Sequence, residues 1–294
     1  MSIERVSALI ERHAHRSDLG LPGVRVARVT DPTERTPSIA EPILAFTIQG
    51  SKRIALGDDV HEELPGTYLT VAVELPITGH FVEASHSRPY LGFGLDLKPA
   101  SIAELLVETG PHRRRIPAAP PGLSVNQATP EMLDAVARLL ELVDRPGDAA
   151  VLRPLVEREL LWRVLTGPAG GAVRQIGLQD SSLSHIGRAI RHLRSNAFEP
   201  IQVVDLARLS GMGVSSFHKQ FRTVTAMTPI QYQKRLRLQE ARLRLLRAPQ
   251  DIADVGHSVG YSSASQFSRE YRREFGSPPS VDAARMREAH QQPA

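Results

Sequence analysis

Two stretches decide the fold: residues 203–229, VVDLARLSGMGVSSFHKQFRTVTAMTP, and residues 252–279, IADVGHSVGYSSASQFSREYRREFGSPP. They carry one pattern twice, because Phe217-x-x-x-Phe221 precedes Ala226-x-x-Pro229 and Phe267-x-x-x-Tyr271 precedes Gly276-x-x-Pro279. In each copy a short apolar segment and a glycine come before aromatic residues four positions apart. This order fits a short helix, a tight turn and a second helix, so each copy predicts a helix-turn-helix.

The second helix of each copy has one apolar face. Phe217, Phe221 and Val224 are spaced i, i+4, i+7 and predict a buried face, with Gly211 and Gly213 in the turn before it. The outward positions of that helix are Ser215, Ser216, His218, Lys219 and Arg222. In the second copy the turn holds Gly260, the inward residues are Phe267, Tyr271 and Phe275, and the outward ones are Ser265, Gln266, Arg269 and Arg273.

A long helix is predicted between the copies, from Pro229 to Arg247. Leu238, Ala241 and Leu245 mark its buried face, and the other face carries Arg and Lys. At 1.5 Å per residue, residues 230–247 span roughly 27 Å. Because major-groove segments recur about every 34 Å along one face of DNA, such a helix would let one chain read two adjacent segments.

Residues 188–279 closely resemble the DNA-binding domain of the AraC/XylS family of bacterial transcription regulators. The residues that carry the resemblance are Val259-Gly260-Tyr261-Ser262-Ser263, Ser265-Gln266-Phe267-Ser268-Arg269 and Phe275-Gly276-x-x-Pro279. Three positions depart from the family pattern: Gly256 stands for a usual Ala, Ala226 replaces the Gly of the second copy, and Asp282 replaces a frequent aromatic residue. The resemblance implies that the chain binds promoter DNA.

Composition agrees with an intracellular two-domain protein. A length of 294 residues leaves room for about two domains. The chain has no cysteine, which excludes disulfides, thiol redox sensing and thiolate metal sites. There is no signal-like N-terminal segment and no run of about eighteen apolar residues, so we expect no membrane span and a cytoplasmic protein.

The charge is divided unequally along the chain. From Leu178 to the end there are 17 Lys and Arg against 10 Asp and Glu, a balance of +7, whereas the front part has 19 against 22, a balance of −3. Together these give the net charge of +4. A solvated basic surface is the alternative, but beside the repeated motif we favour a nucleic-acid partner for the C-terminal part.

The front part has the pattern of short strands. After an amphipathic helix over Ile3 to His15, short alternating or apolar runs occupy 24–29, 43–48, 53–56, 67–73, 80–84 and 90–97. Turn signals such as Gly57-Asp58-Asp59 separate them. Many short strands at close spacing predict a small β-barrel or sandwich.

This front part is similar to the cupin-like N-terminal domain of one branch of AraC-type regulators. The residues that carry the similarity are Glu41-Pro42, Gln49-Gly50-x-Lys52-Arg53, Leu56-Gly57-Asp58, Pro65-Gly66-x-Tyr68-Leu69, Glu83-Ala84-Ser85 and Arg88-Pro89-Tyr90-Leu91. The predicted fold class is therefore α+β multidomain, with a cupin-like β-barrel and helical hairpin in front and two helix-turn-helix units behind.

A cupin-like barrel raises the question of a metal or an active site. Metal-dependent cupins present a His-x-His pair with a Glu and a further His, whereas His61, His80, His86 and His112 are scattered here. No Ser/His/Asp order, paired carboxylates or phosphate loop stands out either. We therefore expect no metal, no cofactor and no enzyme activity.

A barrel without metal can still bind a small molecule. Five large residues lie on predicted strands and are candidates for an effector pocket: Phe46, Tyr68, Phe81, Tyr90 and Phe93. For each of them a place in the hydrophobic core is the alternative, and the sequence favours that alternative.

Two helices are predicted behind the strands, over Pro130 to Val143 and Ala149 to Leu165. Their stripes are Leu133, Val136, Leu140 and Val143 on the first and Leu152, Val156, Leu160 and Val164 on the second. Such a hairpin can pack on the barrel or form a dimer interface. The sequence leaves both open, and the resemblance favours a homodimer.

The predicted domains are a sensor and dimerisation domain over 1–165, a linker over 166–182 rich in Gly and small residues, and a DNA-binding domain over 183–294. Within the last, the helix-turn-helix units cover about 203–224 and 252–275, joined by the helix over 230–247. The resemblance implies an effector-responsive activator that contacts RNA polymerase. An architectural DNA-bending protein with little sequence preference is the alternative, and an enzyme with a DNA-binding tail is the second rival.

Overall fold

A computed structural model describes residues 2–109, 120–178, 181–247 and 251–291. Contacts between Cα atoms group the chain into two units. The first is Met1–Gly187 with Lys219–Ala226, and the second is Arg188–His218 with Met227–Ala294. His112, one of the scattered histidines, lies outside the described residues.

The first unit contains two antiparallel sheets. Its strands are β1 Val24–Val29, β2 Thr36–Ala40, β3 Ile43–Gln49, β4 Ser51–Leu56, β5 Asp59–Glu63, β6 Thr67–Val71, β7 Leu75–Glu83, β8 Tyr90–Asp96 and β9 Leu123–Gln127. One sheet has the order β1-β8-β3-β6-β9 and the other β2-β7-β4-β5. The prediction of a front part built from many short strands is confirmed.

Helices cover one face of the five-stranded sheet. They are α1 Ser2–His13, α2 Pro99–Thr109, α3 Pro130–Glu141, α4 Pro146–Thr166 and α5 Gly170–Gly177. Alternate residues of β3 and β8, such as Phe46 and Phe93, join one hydrophobic core with apolar residues of α1, α3 and α4. The residues between them on each strand, such as Thr47 and Tyr90, point to the other sheet.

Three strands were missed by sequence reasoning, namely β2, β5 and β9. Each lies at the edge of its sheet and pairs with one neighbour only. An edge strand needs fewer apolar residues, and β5 has the sequence DVHEE with only its last residue buried. Such a strand gives no alternating apolar pattern that a sequence would reveal.

The stretch predicted as a linker, residues 166–182, is partly helical. The helix α4 continues to Thr166, and α5 occupies Gly170–Gly177. Ala172 and Val173 of α5 are buried. Glycine content did not reveal α5, because packing within the first unit stabilises a helix that glycine by itself disfavours.

The predicted stripe on α4 is wrong at one position. Val156, Leu160 and Val164 are buried, whereas Leu152 is 43% exposed. The buried face continues instead through Leu161 and Leu165, nearer the C-terminal end of the helix. All four stripe residues of the first hairpin helix, Leu133, Val136, Leu140 and Val143, are buried as predicted.

The rest of the chain is helical, as predicted. The helices are α6 Ser182–Ser195, α7 Val203–Leu209, α8 Val214–Thr225, α9 Pro229–Arg247, α10 Ile252–Ser258, α11 Ala264–Phe275 and α12 Pro279–Gln291. The pairs α7/α8 and α10/α11 are the two helix-turn-helix units, and α9 connects them. The border between the two contact units crosses α8 after His218.

Candidate nucleic-acid interface

The turn between α10 and α11 requires glycine at one position. Gly260 has φ +87°, and a Cβ there would clash with the carbonyl oxygen of Phe198. The N–H of Tyr261 donates to the carbonyl of Gly256 at 3.0 Å. This geometry turns the chain sharply, so that α11 begins four residues after Gly260.

Side chains cap the first turns of both helices. The Asp251 carboxylate accepts hydrogen bonds from the backbone N–H groups of Ala253 at 2.7 Å and Asp254 at 3.2 Å. The Ser263 hydroxyl accepts from the N–H of Gln266 at 3.4 Å. A capping side chain stabilises a helix end by about 1 kcal/mol. The start of α11, which carries Ser265 and Gln266, is therefore fixed.

Phe267 holds α11 in place. Its side chain is fully buried, and its ring lies 5.4 Å from that of Tyr261 and 5.6 Å from that of Tyr271. A Cβ on Gly256 would lie 3.0 Å from the Phe267 ring. Glycine at this position thus gives the ring its space, which explains the first departure from the family pattern. The surrounding core comprises Leu238, Ala241, Leu245, Val255, Val259, Tyr261, Phe267, Tyr271 and Ala283.

The opposite face of α11 is open to solvent. Ser265, Gln266, Arg269 and Arg273 are all exposed. Gln and Arg at these positions have the donor geometry to bind adenine and guanine edges, respectively. The predicted inward residue Phe275 is only half-buried, and its ring lies 4.9 Å from the Arg242 guanidinium carbon.

Glu270 connects α11 to α9 and to the turn before α11, a role that sequence reasoning missed. Its carboxylate accepts hydrogen bonds from Lys234 Nζ at 2.9 Å and from the Tyr261 hydroxyl at 2.9 Å. Gln266 Nε2 donates to the same carboxylate at 3.5 Å. Burial by itself raises the pKa of Glu270, but the donors from Lys234 and Tyr261 outweigh it, and the pKa lies below its ordinary value. The i, i+4 spacing of Gln266 and Glu270 was the available signal.

Ion pairs fix α9 against the helices that follow it. They are Lys234–Glu270 at 2.9 Å, Arg235–Glu274 at 3.0 Å and Arg242–Asp282 at 2.8 Å. The Arg- and Lys-rich face of α9 is therefore partly used inside the unit. Those three cations hold α11 and α12, and they are not free for a polyanion.

Asp282 is a buried carboxylate on α12, and its side chain is fully inaccessible. It accepts hydrogen bonds from Arg242 Nε at 2.8 Å and Nη2 at 3.1 Å, from the Tyr271 hydroxyl at 2.8 Å and from Arg285 Nη2 at 3.0 Å. Burial alone raises the pKa of Asp282, but these donors outweigh it and hold the pKa below its usual value. The burial and the carboxylate raise the pKa of Tyr271.

The first helix-turn-helix repeats this design with two differences. Gly211 has φ +64° and corresponds to Gly260, whereas Gly213, the other glycine placed in the turn, has an ordinary backbone conformation with room for a Cβ, so the turn does not require glycine there. Among the described residues, Ala226 is the one non-glycine with positive φ, at 56°. It ends α8 where Gly276, at φ +79°, ends α11.

The outward residues predicted on α8 are open to solvent. Ser215, Ser216, His218, Lys219 and Arg222 are exposed, and Phe217, Phe221 and Val224 are fully buried or nearly so. Both helix-turn-helix units thus present a polar or basic face opposite an aromatic one.

The five candidate effector residues divide into two groups. Phe46, Tyr68 and Phe93 lie in the core between the five-stranded sheet and the helices. Phe81 and Tyr90 lie between the two sheets, with ring centroids 4.6 Å apart. The structure therefore does not bring the five together in one place.

The described histidines are dispersed as well. His61 is half-buried, and burial lowers its pKa; the same cause lowers the pKa of His80. His86 lies on the surface, 3.9 Å from an Asp31 oxygen. Within the described residues, no group of three or more His, Asp or Glu is arranged to hold a metal ion.

In the same part of the chain, no helix has the length and apolar composition to cross a membrane.

Two family models match the chain. Residues 20–172 match the AraC-type transcriptional regulator N-terminus, and residues 206–285 match a helix-turn-helix domain. The first match covers the β strands and the helical hairpin, and the second covers both helix-turn-helix units except for the start of α7.

Curated relatives include two regulators. The virulence regulon transcriptional activator VirF of Yersinia enterocolitica is 29% identical over 172 residues, which is 57% of this chain and 61% of VirF. The HTH-type transcriptional regulator ExsA of Pseudomonas aeruginosa is 30% identical over 162 residues, which is 54% of this chain and 57% of ExsA. The chain thus spans about three fifths of the length of these relatives.

Solved structures of ToxT from Vibrio cholerae have a similar fold. The wild-type protein with bound unsaturated fatty acid aligns with a TM-score of 0.53 at 9% identity, over 89% of this chain and 93% of ToxT. ToxT bound to (E)-4-(8-methylnaphthalen-1-yl)but-3-enoic acid aligns with a TM-score of 0.52 at 10% identity, over 90% and 98% of the two chains.

Proposed function

The chain belongs to the AraC-type transcriptional regulators, and on that premise we propose that it is a sequence-specific DNA-binding protein that regulates transcription as an effector-responsive activator. The observation that carries the proposal is the repeated motif, in which an exposed polar face lies opposite a buried aromatic face on both α8 and α11. A helix with this arrangement docks in the major groove with its polar side chains toward the bases.

We propose that some of the exposed residues contact phosphates and that others contact bases. Lys219, Arg222 and Arg273 neutralise phosphates and set the register, because backbone contacts carry affinity but no sequence information. Ser215, Ser216 and His218 read base edges in one groove segment, and Ser265, Gln266 and Arg269 read them in the next. A bidentate contact from Gln266 or Arg269 supplies about 1–3 kcal/mol of discrimination between bases.

We propose the domains in the form that the sequence suggested, a cupin-like sensor over 1–165, a linker over 166–182 and a DNA-binding domain over 183–294. A small molecule binds the front domain and changes the DNA affinity or the spacing of the two DNA-binding domains in a homodimer. That ToxT binds a fatty acid supports a small-molecule effector for this fold. RNA polymerase is the proposed downstream partner, because VirF is named an activator, and the cytoplasm is the proposed compartment.

The experiment that tests the proposal is a genome-wide map of bound DNA in the host, followed by a footprint at the strongest site. We expect a few sharp sites, each with two boxes about one helical turn apart. Broad occupancy without a shared motif would contradict sequence-specific regulation and favour the architectural alternative, which binds DNA through charge and deformability.

The variant Arg269→Ala tests whether Arg269 reads a base in the second DNA box. We expect a loss of preference at one base position, with roughly tenfold or greater loss of discrimination there. Arg208→Ala is the matched control, because Arg208 is an exposed arginine on α7 that pairs with Asp205 at 2.8 Å. A uniform loss of affinity across all sequences in Arg269→Ala would instead make Arg269 a phosphate contact.

A further inference from the structure

Glu63 is a buried carboxylate that DNA binding does not use. It is the last residue of β5 and is 1% exposed. Its side chain points between the two sheets, where Oε2 lies 3.4 Å from the Thr47 hydroxyl. Its other oxygen, Oε1, is buried and accepts no hydrogen bond from any described residue.

The neighbours of Glu63 complete a small polar site. The Tyr90 hydroxyl lies 3.2 Å from the Thr47 hydroxyl, and the Tyr90 ring packs 4.6 Å from the Phe81 ring. Lys52 is the cross-strand partner of Glu63. Its ammonium group lies 5.6 Å from the centre of the Phe81 ring. A carboxylate with an unused acceptor thus lies at the end of a series of contacts that runs from Thr47 through Tyr90 to Phe81, with the Lys52 ammonium group near Phe81.

The electrostatics of Glu63 are unfavourable in this state. Burial raises the pKa of Glu63 above its usual value, and the charge of Lys52 and the hydrogen bond from Thr47 offset this only in part. The carboxylate in turn adds to the burial that raises the pKa of Tyr90. A buried charge without full partners destabilises a protein, so such a group buried between two sheets indicates a site that a ligand completes.

The preceding residue of the strand, Glu62, shows the ordinary arrangement of a surface carboxylate. Glu62 points to the other face of β5 and forms an ion pair with Arg53 in solvent. The protein thus pairs the surface carboxylate with an arginine, whereas one oxygen of the interior carboxylate accepts no hydrogen bond from a described residue.

We propose that a small organic cation binds between the two sheets, with Glu63 Oε1 accepting a hydrogen bond from its ammonium group. The hydroxyls of Thr47 and Tyr90 are further acceptors, and the rings of Tyr90 and Phe81 pack against its carbon atoms and its positive charge. An ammonium group suits the site better than a neutral hydroxyl, because a carboxylate only accepts hydrogen bonds and its charge stays uncompensated beside a neutral ligand. Lys52, Phe81 and His61 are half-buried, so this region communicates with solvent.

The proposal rests on the proposed function, since it names the chemical class of the effector. The test is binding of simple ammonium ions to the full chain, in a series from methylammonium through butylammonium to choline. Affinity is measured by calorimetry and by the rise in melting temperature, at matched ionic strength and at a pH of about 8, well above the usual pKa of a carboxyl group because burial raises the pKa of Glu63. The uncharged n-butanol and the anionic butyrate serve as shape-matched probes.

The decisive variants are Glu63→Gln and, as matched control, Glu62→Gln. We expect at least one ammonium ion to bind the wild type and Glu62→Gln with equal affinity, and to bind Glu63→Gln about tenfold or more weakly. Gln keeps the size of the side chain, and the melting curve of Glu63→Gln without ligand shows whether it folds. Lys52→Met removes the nearby charge that competes with the ligand, so it should bind the same ion more tightly than the wild type.

Three results would overturn the proposal: no ammonium ion binds, Glu63→Gln binds as well as the wild type, or n-butanol and butyrate bind as well as butylammonium. The footprint at the strongest promoter site is measured on the same preparation. Specific footprints without ammonium binding would reject the cation site and leave the DNA-binding function in place. The absence of a specific footprint would reject the proposed DNA-binding function, whatever the binding of ammonium ions shows.

Discussion

At the scale of single residues, the two helix-turn-helix units differ in how their second helix ends. Gly276 ends α11 with φ +79°, and Ala226 ends α8 with φ 56°. A residue with a Cβ in the left-handed region costs roughly 1–2 kcal/mol relative to the right-handed one, whereas glycine adopts either. Ala226 therefore holds a strained conformation that its counterpart avoids.

We expect Ala226→Gly to stabilise the protein. The release of strain of about 1 kcal/mol is larger than the added entropy of glycine in the unfolded chain, so the net gain is roughly 0.5 kcal/mol. The measurement is urea unfolding followed by circular dichroism.

Gly276→Ala is the reciprocal variant. An added Cβ at Gly276 would meet no atom within 4 Å, so the change introduces backbone strain without a clash. We expect a loss of about 1 kcal/mol. If both substitutions changed stability in the same direction, strain at φ > 0 would not be the cause.

At the scale of elements, α12 is held by charge where the resembled family often uses an aromatic residue. Asp282 is fully buried and bridges Arg242 on α9 and Tyr271 on α11. The bidentate contact with Arg242 offsets the desolvation of both charges. Asp282, which departs from the family pattern, therefore packs the last helix through charge and hydrogen bonds instead of an aromatic ring.

Asp282→Asn should strongly destabilise the helical unit. It keeps the size of the side chain but leaves Arg242, which is 11% exposed, without its charge partner. Breaking a buried pair from one side costs about 3 kcal/mol or more. Asp205→Asn is the control, because its pair with Arg208 lies in solvent and should change stability by less than about 0.5 kcal/mol. Equal effects of the two substitutions in chemical denaturation would contradict a structural role for Asp282.

The same pair predicts a pH dependence. The pKa of Asp282 is lowered in the folded chain, with Arg242, Tyr271 and Arg285 as the groups that face it. A lowered folded pKa contributes stability that is present above the unfolded pKa of about 3.9 and is lost as the pH falls below it. The wild type should lose this contribution in acid, and the stability difference between wild type and Asp282→Asn should shrink below about pH 4.

At the scale of the whole molecule, the helical hairpin leaves an apolar surface uncovered. Val151, Leu152 and Leu155 on α4 are 67%, 43% and 60% exposed. They lie on neighbouring turns of one helix, which places them on one side. We propose that this surface of the hairpin forms the homodimer interface, because exposed apolar residues that cluster often mark an interface.

Leu155→Glu tests that interface. We expect a wild-type dimer in sedimentation equilibrium and a monomer for the variant, because a buried unpaired charge at an apolar interface is strongly unfavourable. Val60→Glu is the control, since Val60 is a 63% exposed apolar residue on the edge strand β5. A monomeric wild type, or a dimeric Leu155→Glu variant, would contradict the proposal.

The sequence by itself determined the features that depend on local spacing. Aromatic residues four positions apart, as in Phe217 and Phe221, fix which face of a helix is buried, and a glycine such as Gly260 fixes where the chain turns. The short strands of the front part, the helix-turn-helix units and the exposure of Gln266 and Arg269 followed from such patterns, whereas the cupin-like assignment rested on the resemblance to a family. Their contacts with DNA stay predictions.

Only the tertiary structure decided the features that depend on partners far along the chain. Phe46 and Tyr90 are both aromatic residues on strands, but one packs on the helices and the other lies between the sheets. Asp282 acquires its role from Arg242, forty positions away. Glu63 ends a polar edge strand that no apolar pattern reveals. The physical reason is that burial and charge compensation depend on which elements pack together, and local spacing does not specify that.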